Sequence, residues 1–553
     1  MTVINLKDLS IKSSEINCCA DILENAINNC GDDCEVIIPE GIWFIKRSIN
    51  VKNHKNFTIT GDNATILVHF CNSDLTGLKG AFNFENCENL TVRKLFFNYD
   101  VQPSMAGKIV AVNREENWFD LKIFDSFKVN GNERLEAFNS VDEDFTPDHV
   151  LYSYGCCEYD YIGNNTFRVK EMTKYVADKE TLIDIGHLIN VRHVKYGAEL
   201  LRFAHVFGCL VEDITIFAAA GVTCVVCPRC SDFTFNRCSI KLPENTERIF
   251  TSNADGFHIV GLTGYLNMKD CYFENMGDDA LNMHSNAGTV EEVDTEAQSA
   301  KFVYTLNTDP KTTPLRDDWA VPGDVLNFYE QQSFKLLGKA KVLSYNYPDV
   351  KYEVISGEVV KGSVVANTAY FAKTHVDGCT VRNIRARAFL LQTENVLVEN
   401  CHIFGMSGCA MILSPDIRKW HEVGPSKNVV IRNNVIEKCN YSKGANNIGA
   451  IAIKCCHDAG LTDSPAGVHE NIEISGNTFR DIGDSAVFAL AVKGLKIKNN
   501  KFINCSKGVF DENVESLHYD VAVKNCDDVE ISGNISNRNE KYAVYLDNVT
   551  NYK

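Results

Sequence analysis

One short unit recurs along much of this chain and limits what the chain can fold into. It runs Val, Ile or Leu alternating with polar residues, then Asn, Asp or Cys, then an apolar residue and a bend. Asn89-Leu90-Thr91-Val92-Arg93-Lys94-Leu95 is one copy, and Cys209-Leu210-Val211-Glu212-Asp213-Ile214 is another. Asn395-Val396-Leu397-Val398-Glu399-Asn400-Cys401 and Asn471-Ile472-Glu473-Ile474-Ser475-Gly476-Asn477 follow further on. Alternation with a period of two marks strands that bury one face. Asn at the break marks a bend, because it tolerates the left-handed region and bonds its own backbone. From Asn471 to Gly494 the repeat advances 23 residues, and wider gaps read as one coil plus a loop. A coil of about 22–25 residues is the size of one turn of a parallel β-helix. A helical solenoid would need a 3.6-residue period, which these segments lack. The expected fold class is all-β, a right-handed parallel β-helix.

At the start, Ser14 to Cys30 carries a helical pattern with Ile16, Cys19, Ala20, Leu23 and Ile27 on one face. A helix there is expected to cap the first coil and cover its strand edges. Two stretches break the rhythm with strand-like runs and charged turns, and each reads as an inserted small β-barrel or antiparallel module. The expected organisation is 1–100 cap and first coils, 101–189 first insert, 190–289 central coils, 290–370 second insert and 371–553 C-terminal coils.

The formal net charge of −18 argues against a nucleic-acid partner, which would need basic surface for phosphates. No stretch approaches the roughly 20 apolar residues of a membrane span, so no membrane partner is expected. The N-terminus lacks the basic region and apolar run of a signal peptide. The chain as it stands is expected in the cytoplasm, and outside the cell if a signal sequence has been removed. Among its 22 cysteines, Cys271, Cys379, Cys401 and Cys439 sit where buried apolar residues belong. They read as small packed thiols in a reducing compartment. Cys224-x-x-Cys227-x-x-Cys230 lacks the second cluster that a zinc site requires, so no metal is expected there.

The chemistry concentrates between Arg248 and Ser285, in Asn253-Ala254-Asp255-Gly256-Phe257-His258 and Gly277-Asp278-Asp279-Ala280-Leu281-Asn282-Met283-His284. Asp255 and Asp278 are 23 residues apart, one coil, which places Asp255 beside the Asp278–Asp279 pair. Gly256 and Gly277 are expected to permit bends that turn the acids outward. Carboxylates this close repel, so at least one pKa should rise. One protonated and one ionised carboxyl is what glycoside hydrolysis needs. Calcium binding by the same acids is an alternative, since hard cations take oxygen ligands. His258 and His284 are candidates to bond a sugar hydroxyl or tune the acids.

Asn-x-Asp-Gly followed one coil later by Gly-Asp-Asp resembles the polygalacturonase group of β-helix hydrolases, without that group's downstream Gly-His-Gly and Arg-Ile-Lys. A closer resemblance is to glycoside hydrolase family 110, the α-1,3-galactosidases. It is carried by Asn253-Ala254-Asp255, Asp278-Asp279-Ala280-x-Asn282-x-His284, Arg385-Ala386-Arg387 and Asp416-x-x-x-Trp420-x-Glu422-x-Gly424. It spans about Cys209 to Cys439. The chain departs from that pattern at Gly256-Phe257, Gly277, Ala388 and His421. The resemblance implies removal of a terminal α-linked galactose by an inverting route, without metal or organic cofactor. Asp255, Asp278 and Asp279 are the expected catalytic residues. Asn253, His258, Asn282, His284, Arg387, Trp420 and Glu422 are the expected sugar-binding residues. Trp420 offers an apolar ring to the sugar, Glu422 accepts from two hydroxyls, and Arg387 donates to another. The expected partner is an oligosaccharide or glycoconjugate; the oligomeric state stays open, a homodimer included. Two other classes remain in play: a β-helix polysaccharide lyase and a non-catalytic carbohydrate-binding β-helix.

Overall fold

The computed structural model describes residues 2–553 except 9–11, 70–79, 128, 143–146, 154, 176–182, 195, 305–317, 418–419, 442–447, 456–463 and 508–517. The repeat unit folds into coils whose strands stack in parallel and in register on three faces. The first face carries Ser231–Asn236, Thr263–Lys269, Lys373–Asp377, Glu394–Glu399 and Lys427–Arg432, each paired to the next. The second carries Ser239–Ile240, Tyr272–Glu274, Thr380–Ile384, His402–Met406 and Val435–Glu437. The third carries Cys224–Val226, Phe257–Val260, Leu281–Asn286, Phe389–Leu391 and Met411–Leu413.

Alternation on each strand sends Val, Ile, Leu and Phe into one continuous core inside the coils. The corner between the first and second faces is taken by one residue with positive φ in each coil, such as Asp213, Asp270, Asn400 and Asn433. The next side chain points inward and stacks on its counterpart one coil away. Cys271, Cys379 and Cys401 fill these places first, buried as expected. Asn434, Asn477, Asn500 and Asn534 continue the ladder. The amides of Asn434, Asn477 and Asn500 each donate both to the next Asn Oδ1, at 2.9–3.0 Å, and to a carbonyl of the wall, and Asn534 ends the ladder by donating to the Ile497 carbonyl. The polar corner is thus satisfied inside the core.

The capping helix is shorter than the sequence pattern, covering Ala20–Asn28 with Ala20, Leu23 and Ile27 buried. Ile16 is not on its inner face: it precedes the helix and is 80% exposed. Ser14 is bridged to Trp43, and its Oγ accepts from the Ile16 and Asn17 N–H groups at 3.3 and 2.8 Å, closing a bend ahead of the helix. Cys30 and Cys34 just after the helix form a disulfide, unlike the free thiols of the coils.

Two modules leave the helix. Strands between Ser104 and Arg192 form a seven-stranded antiparallel sheet with its own core. Strands between Gly288 and Asn367 close a six-stranded barrel. The first module interrupts the passage from the second to the third face, and the barrel departs directly after Leu281–Asn286. Both therefore stand beside the same few rungs of the third face.

Candidate active site

The acids lie on the turns that lead from the second face into the third. These turns are themselves laddered. The Gly256 N–H donates to the Asp279 carbonyl at 2.8 Å, and the Ala280 N–H donates to the Arg387 carbonyl at 3.1 Å. Ser252 bridges to Met276 in the same sense. The coil here is 24 residues, since Phe257 pairs with Leu281. Asp255 is therefore in line with Asp279 and, one coil on, with Arg387. Asp278 stands one residue to the side. The glycines serve closeness, not bending. Neither Gly256 nor Gly277 has a positive φ. A Cβ on Gly256 would meet the Ala280 carbonyl at 2.5 Å, and one on Gly277 the Asn253 carbonyl at 2.7 Å.

One oxygen of each of Asp255, Asp278 and Asp279 lies within 4.8 Å of the others. Two arginines from the following coil match them. Arg387 grips Asp279 with Nε to Oδ1 and Nη2 to Oδ2, both 2.8 Å, and adds its backbone N–H at 3.0 Å. Arg385 Nη2 lies 2.8 Å from Asp278 Oδ1, and its Nε donates to the Gly277 carbonyl. The Tyr196 hydroxyl is 3.5 Å from the other oxygen of Asp278. Asp279 is almost fully buried. Burial pushes its carboxyl up to about 7 against the pull of Arg387, with the charges of Asp278 and Asp255 adding to the rise. Asp279 thus holds a proton up to near neutrality.

On the strands that follow, His258 Nδ1 donates to Asp255 Oδ2 at 2.7 Å. His258 stacks on Asn282, and Val260 stacks on His284. The two imidazoles meet diagonally, Nε2 to Nε2, at 2.9 Å. Glu422 enters from another element. The strand Glu422–Val423 pairs antiparallel with Ser285 and Asn286, which brings Glu422 Oε1 to 3.6 Å from His284 Nε2. Gln392 Nε2 donates to Glu422 Oε2 at 2.7 Å. Burial raises the Glu422 carboxyl to about 7, against the pull of His258.

Asn253, expected as a sugar ligand, lies inside the seam between the first module and the coils. It is 1% exposed, and its amide donates to the carbonyls of Pro103 and Val194 at 3.1 and 2.9 Å, fastening the first module to the helix. Arg387, expected as a sugar donor, commits Nε and Nη2 to Asp279. Asn282 faces the site beside His258, 7% exposed, and its Oδ1 has no hydrogen-bond partner. Trp420 is 47% exposed on the turn before Glu422, and the neighbouring His421 packs on Tyr304 of the barrel segment at 5.2 Å. Arg418 and Lys419 of that stretch lie outside the described residues.

Sequence reasoning passed over Arg385, Tyr196 and Gln392. Arg385 had a signal, the Arg-x-Arg spacing beside Arg387. The others reach the site only through the register of distant coils. The three acids also offer oxygens that a hard cation would take. Arg385 and Arg387 already balance two of them, so this donor set fits a protonated carboxyl cluster better than a metal.

Residues 361–466 match the family described as "Right handed beta helix region". The chain is 24% identical over 509 residues to alpha-1,3-galactosidase B of Bacteroides thetaiotaomicron, covering 87% of this chain and 78% of that protein. It is 28% identical over 312 residues to alpha-1,3-galactosidase B of Akkermansia muciniphila, covering 54% of this chain and 38% of that protein. Among solved structures it is similar to the Yersinia enterocolitica family 28 exopolygalacturonase, with a TM-score of 0.46 and 12% identity over 100% of this chain and 78% of that one.

Proposed function

We propose that this chain, a glycosidase homologous to the α-1,3-galactosidases, removes a terminal α-linked galactose, probed first as the α-1,3 linkage, with inversion at the anomeric carbon. The observation that carries the reading is the arrangement of Asp255, Asp278 and Asp279, oxygens within 4.8 Å, on consecutive coils and backed by two arginines. Asp278 is the least buried of the three, and its Oδ2 lies 3.5 Å from the Tyr196 hydroxyl. It is assigned as the acid that protonates the leaving oxygen. Asp255 and Asp279 are assigned to hold the attacking water, Asp255 as the base. The usual mark of inversion is a separation of about 6.5–9.5 Å between acid and base carboxyls. This trio is tighter. Two oxygens each about 2.8 Å from one shared water stand about 4.5 Å apart. The tight spacing therefore suits a water clasped by Asp255 and Asp279.

The test is galactose release from aryl α- and β-galactosides and then from galactose-terminated oligosaccharides. Asp255→Asn, Asp278→Asn and Asp279→Asn should each cut turnover by at least about a hundredfold while the protein stays folded, the scale of general acid–base catalysis. Two variants with near-normal rates would move the site elsewhere. An unsaturated product would point to a lyase, and binding without turnover to a non-catalytic module.

A further inference from the structure

The reaction as assigned needs one carboxylate of the trio to be the base, yet geometry gives the three acids similar surroundings. What separates them is the side chain behind each one. Asp278 and Asp279 are backed by arginines, which stay charged at any working pH. Asp255 alone is backed by a histidine, His258. Both nitrogens of His258 are engaged, Nδ1 with Asp255 Oδ2 at 2.7 Å and Nε2 with His284 Nε2 at 2.9 Å. A short contact between two ring nitrogens requires one to donate and the other to accept. His284 Nδ1 lies 3.3 Å from the Ser285 carbonyl, which can only accept. So His284 carries its proton on Nδ1 and accepts through Nε2. His258 then donates from both nitrogens and is a cation.

We propose that His258 and His284 are positioning residues that mark Asp255 as the base, His258 clamping one carboxylate oxygen so that the other is left to the water. This rests on the functional reading above, and deepens it. The surroundings agree. Burial pulls His258 down, but Asp255 first, then Glu422 and Glu199, outweigh it and hold the imidazole above its ordinary value. His284 is pushed down to about 3 by burial and by the charge of His258, so it stays neutral and accepts. The groups facing His258 are thus Asp255 on its own turn, His284 on the next rung, Glu422 on the antiparallel strand and Glu199 on an earlier rung. The pair acts on Asp255 through hydrogen bonds already made.

Two measurements test this. In the first, pH profiles of kcat/KM are compared for the native protein and His258→Gln, which keeps a donor but cannot hold a second proton. An opposite charge within hydrogen-bond reach lowers a carboxyl pKa by about 1–3 units. The acidic limb should therefore move up by about one unit or more in His258→Gln, with kcat down at least about tenfold and KM within about threefold. A wall residue would change KM or melting temperature and leave the limb in place, and that outcome overturns the proposal. In the second, histidine ring-proton NMR follows titration without any substrate. One signal, missing in His258→Gln, should titrate above the ordinary histidine value and fall by about a unit or more in Asp255→Asn. A His258 signal that ignores Asp255→Asn also overturns the proposal. If the native protein released no sugar, the functional reading would fail, and the NMR arm would still decide whether His258 is Asp255's cation.

Discussion

Glu422 is buried where its charge is costly. Its carboxyl is raised to about 7 from an ordinary 4.5, chiefly by burial. Between those values the folded protein holds a proton that the unfolded chain has lost, so stability falls as pH rises through the window. Above about pH 7 the cost is about 3 kcal/mol. Glu422→Gln keeps the shape and removes the charge. It should melt higher than the native protein at pH 8, and the gap should close by about pH 4.5 in paired thermal melts. A variant that melts no higher at pH 8 would mean that Glu422 is ionised comfortably in the fold. At this scale the sequence was informative about residue types. Asp255, Asp278, Asp279, His258, His284 and Glu422 do come together. Their partners were less legible, because a side chain's hydrogen bonds depend on atoms many residues away. Asn253 and Arg387 were read as sugar ligands, and their hydrogen bonds to Pro103, Val194 and Asp279 could not be read from the sequence.

At the scale of elements, the turn carrying Asp255 is set by a clasp to the first module. Arg192, fully buried at the end of the strand Leu188–Arg192, donates to the Asn253 carbonyl and to Asn139 Oδ1, both at 2.9 Å. Asn253 returns two hydrogen bonds to that module. Asn253→Ala would take the amide donor from the Val194 carbonyl, at about 1–3 kcal/mol, while the Pro103 carbonyl keeps the His193 N–H at 3.1 Å. The expected result is a lower melting temperature and a lower kcat with little change in KM. A sugar ligand would show the opposite, a raised KM with an unchanged melt, so calorimetry beside steady-state kinetics separates the two. The strands themselves were legible from alternation and from Asn at the bends, where the structure puts residues in the left-handed region. The register was not. A coil of 23 residues and one of 24 differ by one position, and that position decides whether Asp278 or Asp279 lines up with Asp255. Alternation alone cannot count across a loop of unknown length.

Across the whole molecule, one long core provides a rigid wall, and two modules stand beside the rungs that carry the acids. The division of labour follows: the coils hold the carboxylates in register, and the modules wall the third face around them. The existence of two β inserts could be read from where the repeat falters. Which insert is the antiparallel sheet and which the closed barrel could not, because both patterns give the same alternating strands. The central claim is that Asp255, Asp278 and Asp279 hydrolyse an α-galactoside with water held between carboxylates. Proton NMR of the sugar first released from an α-galactoside, recorded before the anomers equilibrate, tests it most directly. The account predicts that β-galactose appears first and that Asp278→Asn abolishes the signal on the same timescale. α-Galactose appearing first, or undiminished release by Asp278→Asn, would contradict it.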